Sequence, residues 1–350
     1  MLPWLVPEFD NHEQVSSFYD AATGLKAIIA VHSTKLGPAL GGTRFWPYAK
    51  DELALNDVLR LSRAMSYKCA LIGAPYGGGK AVIIGDPVTM KNRALLRCYG
   101  AFLNRMGPVF ATGEDVGMSV EDCEEIRLVS PYVAGTKSRG AGDPSVHTAI
   151  GVLHGLRALM RRRFDHEDFS KVTVAVQGLG SVGFKLCSLL HDAGAKLLVS
   201  DIRAETVTAA FDRFGATIVE PDRIHAAEAD IFSPCALGGI LNGSTVGEIQ
   251  ARAIGGAANN QLASPDVGFA LMSRGILHAP DYVINAGGVI GGLGEMANVP
   301  GRSEVLLRPL SERLAAIYDR LHGIFERSSA EGLPPEIVAH RMARDLIGSP

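Results

Sequence analysis

The stretch that begins at Lys171, "KVTVAVQGLGSVGFKLCSLLHDAGAKLLVSD", constrains the fold more than any other part of the chain. Val172 to Val176 is a β-branched run, and "QGLGSVG" follows at once. "FKLCSLLHDAG" then carries apolar residues at helical spacing and ends on Gly194, a residue suited to a helix C-terminus. A second strand-like run, "KLLVSD", finishes on Asp201. Strand, Gly-x-Gly-x-x-Gly, helix, strand and acid within one unit are the parts of a dinucleotide-binding βαβ element.

Each part has a physical task. Gly178 permits the tight turn, Gly180 lets backbone approach a pyrophosphate, and Gly183 lets the helix pack close to its strand. Ser181 and Val182 open the helix, whose free N–H groups face the anion. Asp201 lies 23 residues after Gly178, where a ribose hydroxyl needs an acceptor. Its charge repels a 2′-phosphate, so NAD is expected over NADP, and Arg203 weakens that preference without reversing it. The competing reading is a glycine-rich packing turn in an α/β sheet. Further strands are expected at "DIFSPCA", "AIGGAANN" and "YVINAGG", each ending in small or polar residues. Asn259, Asn260 and Asn285 are thereby candidate ligand contacts, or simply turn residues.

At 350 residues, 47% hydrophobic and 20% charged, the chain is long enough for two globular domains. A formal net charge of −3 gives no reason to expect a nucleic-acid or anionic-membrane partner. The five cysteines are widely spaced and never form C-x-x-C, which points to a reducing compartment. Ten histidines show no metal-ligand spacing, so no metal site is expected. The N-terminus lacks a basic start, and no apolar run reaches the roughly 18–20 residues of a membrane span. A cytoplasmic location is expected.

The first half holds the more reactive residues. "DELALNDVLRLSRAMSYKCAL" is an amphipathic helix with an acidic start, and Lys68 stands near its end, twelve residues before Lys80. Lys80 follows three glycines in "APYGGGKAVIIGDP", where the glycines are expected to let substrate or cofactor come close to backbone beside a lysine fixed at a strand start. Walker-A spacing is absent, so this is not a nucleotide-phosphate loop. A lysine among small and apolar residues loses hydration, which favours the neutral amine and lets it act as a base; Lys68 nearby pushes the same way. The bland reading is a surface turn.

"LGPALGGTR", "YKCA", "GGGKAVIIGDP", "GEDVG", "VAVQGLGSVG", "SPCALGG", "GAANNQL" and "APDYVINAGGVI" occur in an order that resembles the amino acid dehydrogenases, nearest to the leucine, phenylalanine and valine branch. The resemblance implies an N-terminal α/β substrate domain and a C-terminal Rossmann-type domain, with the active site in the cleft between them. It implies reversible NAD-dependent oxidative deamination of an apolar L-amino acid to a 2-oxo acid and ammonia. By the same resemblance Lys68 would pair with the substrate carboxylate, Lys80 would be the general base for water, and Asp115 would handle protons at nitrogen. Gly41 and Gly42 would line the pocket, together with Leu40, Met65, Gly113, Val289 and Gly292. Asn260 would orient substrate and nicotinamide ribose, Thr148 would contact the nicotinamide carboxamide, and Asn285 would belong to the cofactor site.

Against the leucine-type pattern, Gly113 replaces an alanine, and Gly291-Gly292 replaces asparagine and valine. Both changes are expected to enlarge an apolar pocket, which favours broad specificity over branched and aromatic side chains. The competing readings are an NADP-preferring or narrowly aromatic enzyme, and an inactive dinucleotide-binding relative. Domains are expected at 1–137 and 138–324, with Thr136 to Ser145 as linker and helices over about 325–350 returning to the first domain. A homo-oligomer of open subunit number is expected. His147 and the basic run Arg157 to Asp165 are read as structural.

Overall fold

The first hairpin pairs β1 (Gln14–Asp20), which is exposed or half-buried throughout, antiparallel with β2 (Leu25–Ser33), which is buried at every position but Lys26. The computed structural model of the chain describes residues 2–136, 143–293 and 304–348. After the hairpin come β3 (Ala39–Leu40), β4 (Thr43–Trp46), the long helix α1 (Asp51–Leu71) and β5 (Gly77–Ile84). The helix α2 (Arg93–Met106), β6 (Phe110–Ala111) and α3 (Val120–Arg127) follow. The strands form one sheet, ordered β1-β2-β5-β3-β6, with β4 also paired to β5.

Strand alternation divides the first core in two. Ile28, Ala30 and Val82 pack with Ala54, Val58 and Leu59 of α1, while Ala27, Ile29 and Ile83 pack with Leu95, Tyr99 and Leu103 of α2. The three glycines before Lys80 are strand residues of β5, and Lys80 is the fourth residue of that strand, not its first. Crowding on both faces accounts for them. A Cβ at Gly77 would lie 1.9 Å from the Ser33 carbonyl oxygen, one at Gly78 2.0 Å from the Ser66 nitrogen, and one at Gly79 2.7 Å from the Phe110 ring. The glycines let α1 and the neighbouring strands close directly on the backbone, so protein atoms, not the expected substrate or cofactor, fill the space where their Cβ atoms would stand.

The second half opens with α4 (Pro144–Phe164), followed by β7 (Thr173–Gln177), α5 (Ser181–Asp192), β8 (Lys196–Ser200), α6 (Ala204–Phe214) and β9 (Thr217–Ile218). Next are β10 (Ile231–Pro234), β11 (Ala253–Ile254), α7 (Pro265–Ser273) and β12 (Leu277–His278). The sheet is parallel throughout, ordered β12-β11-β10-β7-β8-β9. It is a Rossmann-like sheet, and the chain is a two-domain α/β protein.

The final elements are α8 (Asp281–Ile284), α9 (Gly287–Gly292), α10 (Glu304–Leu307), α11 (Leu310–Glu331) and α12 (Pro335–Ile347). "YVINAGG" is therefore helical, against the expected strand. Pro280 caps α8, and Gly287 lets the start of α9 settle on α4, since a Cβ there would lie 2.1 Å from the His147 carbonyl oxygen. Most of the expected linker, 137–142, lies outside the described residues. Pro144 and Ser145 already belong to α4, where Asp143 caps the helix by accepting from the Ser145 N–H.

The described residues divide into two units: those within Met1–Gly142, Gly292–Leu307 and Ala343–Pro350, and those within Asp143–Gly291 and Arg308–Met342. The chain thus returns to the first unit twice, over Gly292–Leu307 and again from Ala343, whereas a single return over about 325–350 was expected. Residues 308–342 stay with the second unit, where α11 packs along α4. Arg344 ties the last turn of α12 to the first unit by donating to Tyr67 Oη (2.9 Å) and to Asp10 Oδ2 (3.3 Å). No helix among the described residues is long and apolar enough to cross a membrane.

Candidate active site

Lys80 shares a face of β5 with Gly78 and Val82, the face covered by α1. Only 6% of it is exposed. Strand β4 runs parallel to β5 with Arg44 opposite Val82, so Arg44 reaches the same face while Thr43 and Phe45 turn away. Asp115, in the turn after β6, receives both cations. Lys80 Nζ lies 2.9 Å from Asp115 Oδ1, and Arg44 Nε donates to Asp115 Oδ2 at 2.9 Å. Arg44 Nη1 also donates to Asp57 Oδ2 of α1 at 2.7 Å, and that oxygen accepts from Tyr48 Oη at 2.6 Å.

Charge alternates along this row: Lys80, Asp115, Arg44, Asp57. Burial alone would raise the proton affinity of Asp115. The Lys80 ammonium and then the Arg44 guanidinium outweigh it and hold the carboxyl below its usual range. Burial and the hydrogen bond to Asp57 push the Tyr48 phenol upward, so it stays a donor. Arg44, Asp57 and Tyr48 were not singled out by sequence reasoning. Arg44 lies inside the "LGGTR" motif, but its partner depends on the β4–β5 register, which no local spacing reveals.

The other candidates of the first unit gather around this row. Leu40 pairs with Gly78 and Ala111 on either side. Gly41 N donates to the Ala111 carbonyl, Thr43 N to that of Gly113, and Ala81 N to that of Gly42. A Cβ at Gly41 would meet the Gly79 carbonyl oxygen at 1.8 Å, with Met65 Cγ at 3.3 Å, and one at Gly42 would meet the Glu114 carbonyl oxygen at 2.4 Å. These glycines bring bare backbone against the residues preceding Lys80 and Asp115. Lys68, half-buried, follows Met65 by three residues in α1 and shares its helix face. At Gly113 an added methyl would sit 3.4 Å from the Ala134 carbonyl oxygen, an ordinary contact, so a methyl-sized space is open there.

In the second unit the three glycines of the nucleotide motif have different neighbours. Gly178 has φ +91°, and Gly183 approaches the Gly178 carbonyl so closely that a Cβ would lie 1.9 Å from it. Both are demanded by the turn itself. A Cβ at Gly180 would meet nothing within 4 Å among the described residues, so this glycine could present bare backbone to a ligand. It caps α5 without a side-chain hydrogen bond, and Ser181 beside it is exposed while Val182 is half-buried. Those are the features of a cradle for the pyrophosphate of a dinucleotide. Asp201 Oδ2 accepts from the Leu179 N–H at 2.6 Å, and its Oδ1 accepts from Arg203 N and Nε at 2.9 and 3.2 Å. Despite the burial that opposes it, the Arg203 bond and the Leu179 amide keep Asp201 below the usual carboxylate range.

Thr148 Oγ1 donates to the Pro144 carbonyl at 2.9 Å, which leaves its lone pairs as acceptors. Asn260 is exposed at φ +52°. Asn285 is buried, and its amide nitrogen donates to Asn259 Oδ1 at 2.8 Å and to the Ala257 carbonyl at 3.3 Å. Its donors hold the 257–259 turn, so it positions its neighbours. Val289 is half-buried on α9. Gly291 does not release volume as expected: a Cβ there would lie 2.2 Å from His147 Nδ1, so the imidazole occupies that space. At Gly292 nothing among the described residues lies within 4 Å of an added Cβ.

Comparison with known proteins agrees with this arrangement. Residues 12–127 match the family model described as the Glu/Leu/Phe/Val dehydrogenase dimerisation domain, and 201–333 match that of the glutamate/leucine/phenylalanine/valine dehydrogenases. The chain is 44% identical over 339 residues to a leucine dehydrogenase of Geobacillus stearothermophilus, covering 96% of this chain and 91% of that one. It is 42% identical to a phenylalanine dehydrogenase of Bacillus thermotolerans, covering 98% and 90%. The crystal structure of an L-tryptophan dehydrogenase from Nostoc punctiforme superposes with a TM-score of 0.83 at 43% identity, covering 96% of both chains. The chain belongs to the glutamate/leucine/phenylalanine/valine dehydrogenase family. It is an amino acid dehydrogenase, an oxidoreductase whose Rossmann-like unit serves a nicotinamide cofactor.

Proposed function

We propose that the chain catalyses the reversible oxidative deamination of an apolar L-amino acid with NAD, giving the 2-oxo acid and ammonia. The observation that carries this reading is the buried Lys80 ammonium 2.9 Å from Asp115 Oδ1. Lys68 holds the substrate carboxylate as its counter-ion, against the backbone of Gly41 and Gly42. A bound nicotinamide supplies the acceptor for the hydride leaving the substrate α-carbon. Lys80, once neutral, takes a proton from the water that attacks the resulting imino carbon. Asp115, a carboxylate, first takes a proton from the substrate ammonium and later returns it to the carbinolamine nitrogen; as that nitrogen departs as ammonia and the carbon–oxygen double bond forms, the hydroxyl proton passes back to Asp115. Asn260 orients the substrate, and the lone pairs of Thr148 accept from the carboxamide N–H₂.

NAD is favoured over NADP because Asp201 remains a carboxylate beside the ribose position. Arg203 is the one feature that favours NADP, but its Nε is committed to Asp201 and its Nη2 to the Leu179 carbonyl. A 2′-phosphate would have to break that pair. For the side chain, the methyl-sized space at Gly113, and the lack of any contact at Gly292 among the described residues, support broad acceptance of branched and aromatic substrates, with His147 in place of an added void at Gly291. The name of the matched dimerisation domain supports a homo-oligomer, which light scattering on the purified protein would test.

The test of function is NADH absorbance with a panel of L-amino acids at alkaline pH, run with NAD and with NADP. Turnover of leucine-like or phenylalanine-like substrates with NAD supports the reading. No turnover with any of them, or strict use of NADP, contradicts it.

A further inference from the structure

We propose that Arg44 is a positioning residue for the Lys80–Asp115 pair, braced from behind by Asp57 and Tyr48, and that it sets which oxygen of Asp115 faces the substrate-side lysine. This inference rests on the deamination reading above. A carboxylate held by one flexible lysine can rotate, and rotation would carry the accepting oxygen away from the reacting nitrogen. Asp115 is instead held at both oxygens, by Lys80 Nζ at 2.9 Å and Arg44 Nε at 2.9 Å. Arg44 cannot follow Asp115 if it turns, because Nη1 of the same planar guanidinium is fixed by Asp57 at 2.7 Å. Asp57 is fixed in turn by the Tyr48 hydroxyl. The brace is anchored on a strand and a helix, β4 and α1, so misplacement is resisted by backbone already packed in the core.

The groups facing Asp115 are Lys80 from β5 and Arg44 from β4, with Gly42 bringing only backbone and Glu114, its chain neighbour, turning its carbonyl toward Gly42. Facing Arg44 are Asp57 from α1 and Tyr48. Two substitutions therefore act on the Lys80–Asp115 pair with opposite sign. Arg44→Gln removes a cation beside the Lys80–Asp115 pair and makes the pair hold its protons more tightly, which moves the acid limb of the kcat/KM profile to higher pH. Asp57→Asn leaves the Arg44 charge undivided on Asp115 and moves that limb to lower pH. A residue that merely held the fold would produce neither pattern.

The experiment measures pH profiles of NADH formation for wild type, Arg44→Gln, Arg44→Lys, Asp57→Asn and Tyr48→Phe, with NAD binding and thermal melting alongside. The expected result for Arg44→Gln is a fall in kcat on the order of 10–100-fold, as misplaced reacting groups give, with amino acid KM changed less than about threefold and NAD binding retained. Arg44→Lys keeps the charge without the fork, so its acid limb stays in place while kcat still falls. If Arg44→Gln does not fold, Asp57→Asn and Tyr48→Phe carry the test, since neither touches Asp115. Wild-type kcat in Arg44→Gln, full rescue of kcat by Arg44→Lys, or an acid limb unmoved in Asp57→Asn overturns the proposal. Inactivity of the wild type toward every amino acid overturns the deamination reading instead, and is read first.

Discussion

A methyl group added at Gly291 would lie 2.2 Å from Nδ1 of His147, so the glycine and the imidazole fill one space between them. The pair joins α9 to the first turn of α4. Gly291→Ala is expected to destabilise the protein by roughly 1–3 kcal/mol, the usual cost of overpacking. His147→Ala in the same chain removes the obstacle. A double-mutant cycle by denaturant unfolding should show a favourable coupling in the double variant, and strict additivity would mean the ring moves aside freely.

Gly78 has no such escape. The nearest atoms to an added Cβ are the backbone nitrogen, Oγ and Cα of Ser66, at 2.0, 2.3 and 2.4 Å. Gly78→Ala must push α1 off the sheet, and α1 carries Met65, Lys68 and Asp57. The expected outcome is a large loss of melting temperature together with lost turnover. A variant that melts like the wild type would show that helix and strand are not in close contact there.

Gly180→Val separates cofactor binding from folding. Its φ of −70° is open to any residue, and an added Cβ meets nothing within 4 Å among the described residues. Melting temperature without ligand should stay within a few degrees of wild type, while NAD affinity measured by calorimetry falls at least about tenfold, since the branched side chain would stand where pyrophosphate approaches. Unchanged affinity would remove the cradle from the account.

His12 is buried between the N-terminal segment and α1. Its Nδ1 accepts from the Asp10 N–H at 3.2 Å, so the ring proton sits on Nε2, facing the Leu59 carbonyl at 3.1 Å. Burial first, and the neighbouring His32 second, lower its pKa from 6.5 to about 4. The folded value is depressed, so the neutral ring stabilises the fold fully above the unfolded value of 6.5. That contribution declines as pH falls below 6.5 and is lost through about 4. Histidine NMR titration should find His12 still neutral at pH 5, and a midpoint near 6.5 would contradict the packing described.

The βαβ element was legible because its signals are local: Gly178, Gly180, Gly183 and Asp201 lie within 24 residues, each in a position whose backbone need is set by its neighbours in sequence. "YVINAGG" was misread because a short apolar run does not distinguish a strand from a buried helix turn, and what decides it here is the contact of Gly287 with His147. The glycines before Lys80 suggested a loop, whereas their requirement comes from Ser33, Ser66 and Phe110, remote in sequence. Lys80 and Asp115 were brought forward by family resemblance, not by their spacing of 35 residues. The Arg44–Asp57–Tyr48 brace was not visible at all, because it depends on the β4–β5 register and on how α1 lies over the sheet.

The central claim, that the buried amine of Lys80 beside Asp115 is the base of the reaction, is tested most directly by Lys80→Ala assayed for NADH formation and for NAD binding. Asp115 keeps Arg44 as a partner in this variant, so the fold is expected to persist. The account predicts a fall in kcat of about 100-fold or more, as loss of a general base gives, with NAD affinity unchanged. Turnover equal to that of the wild type would contradict it.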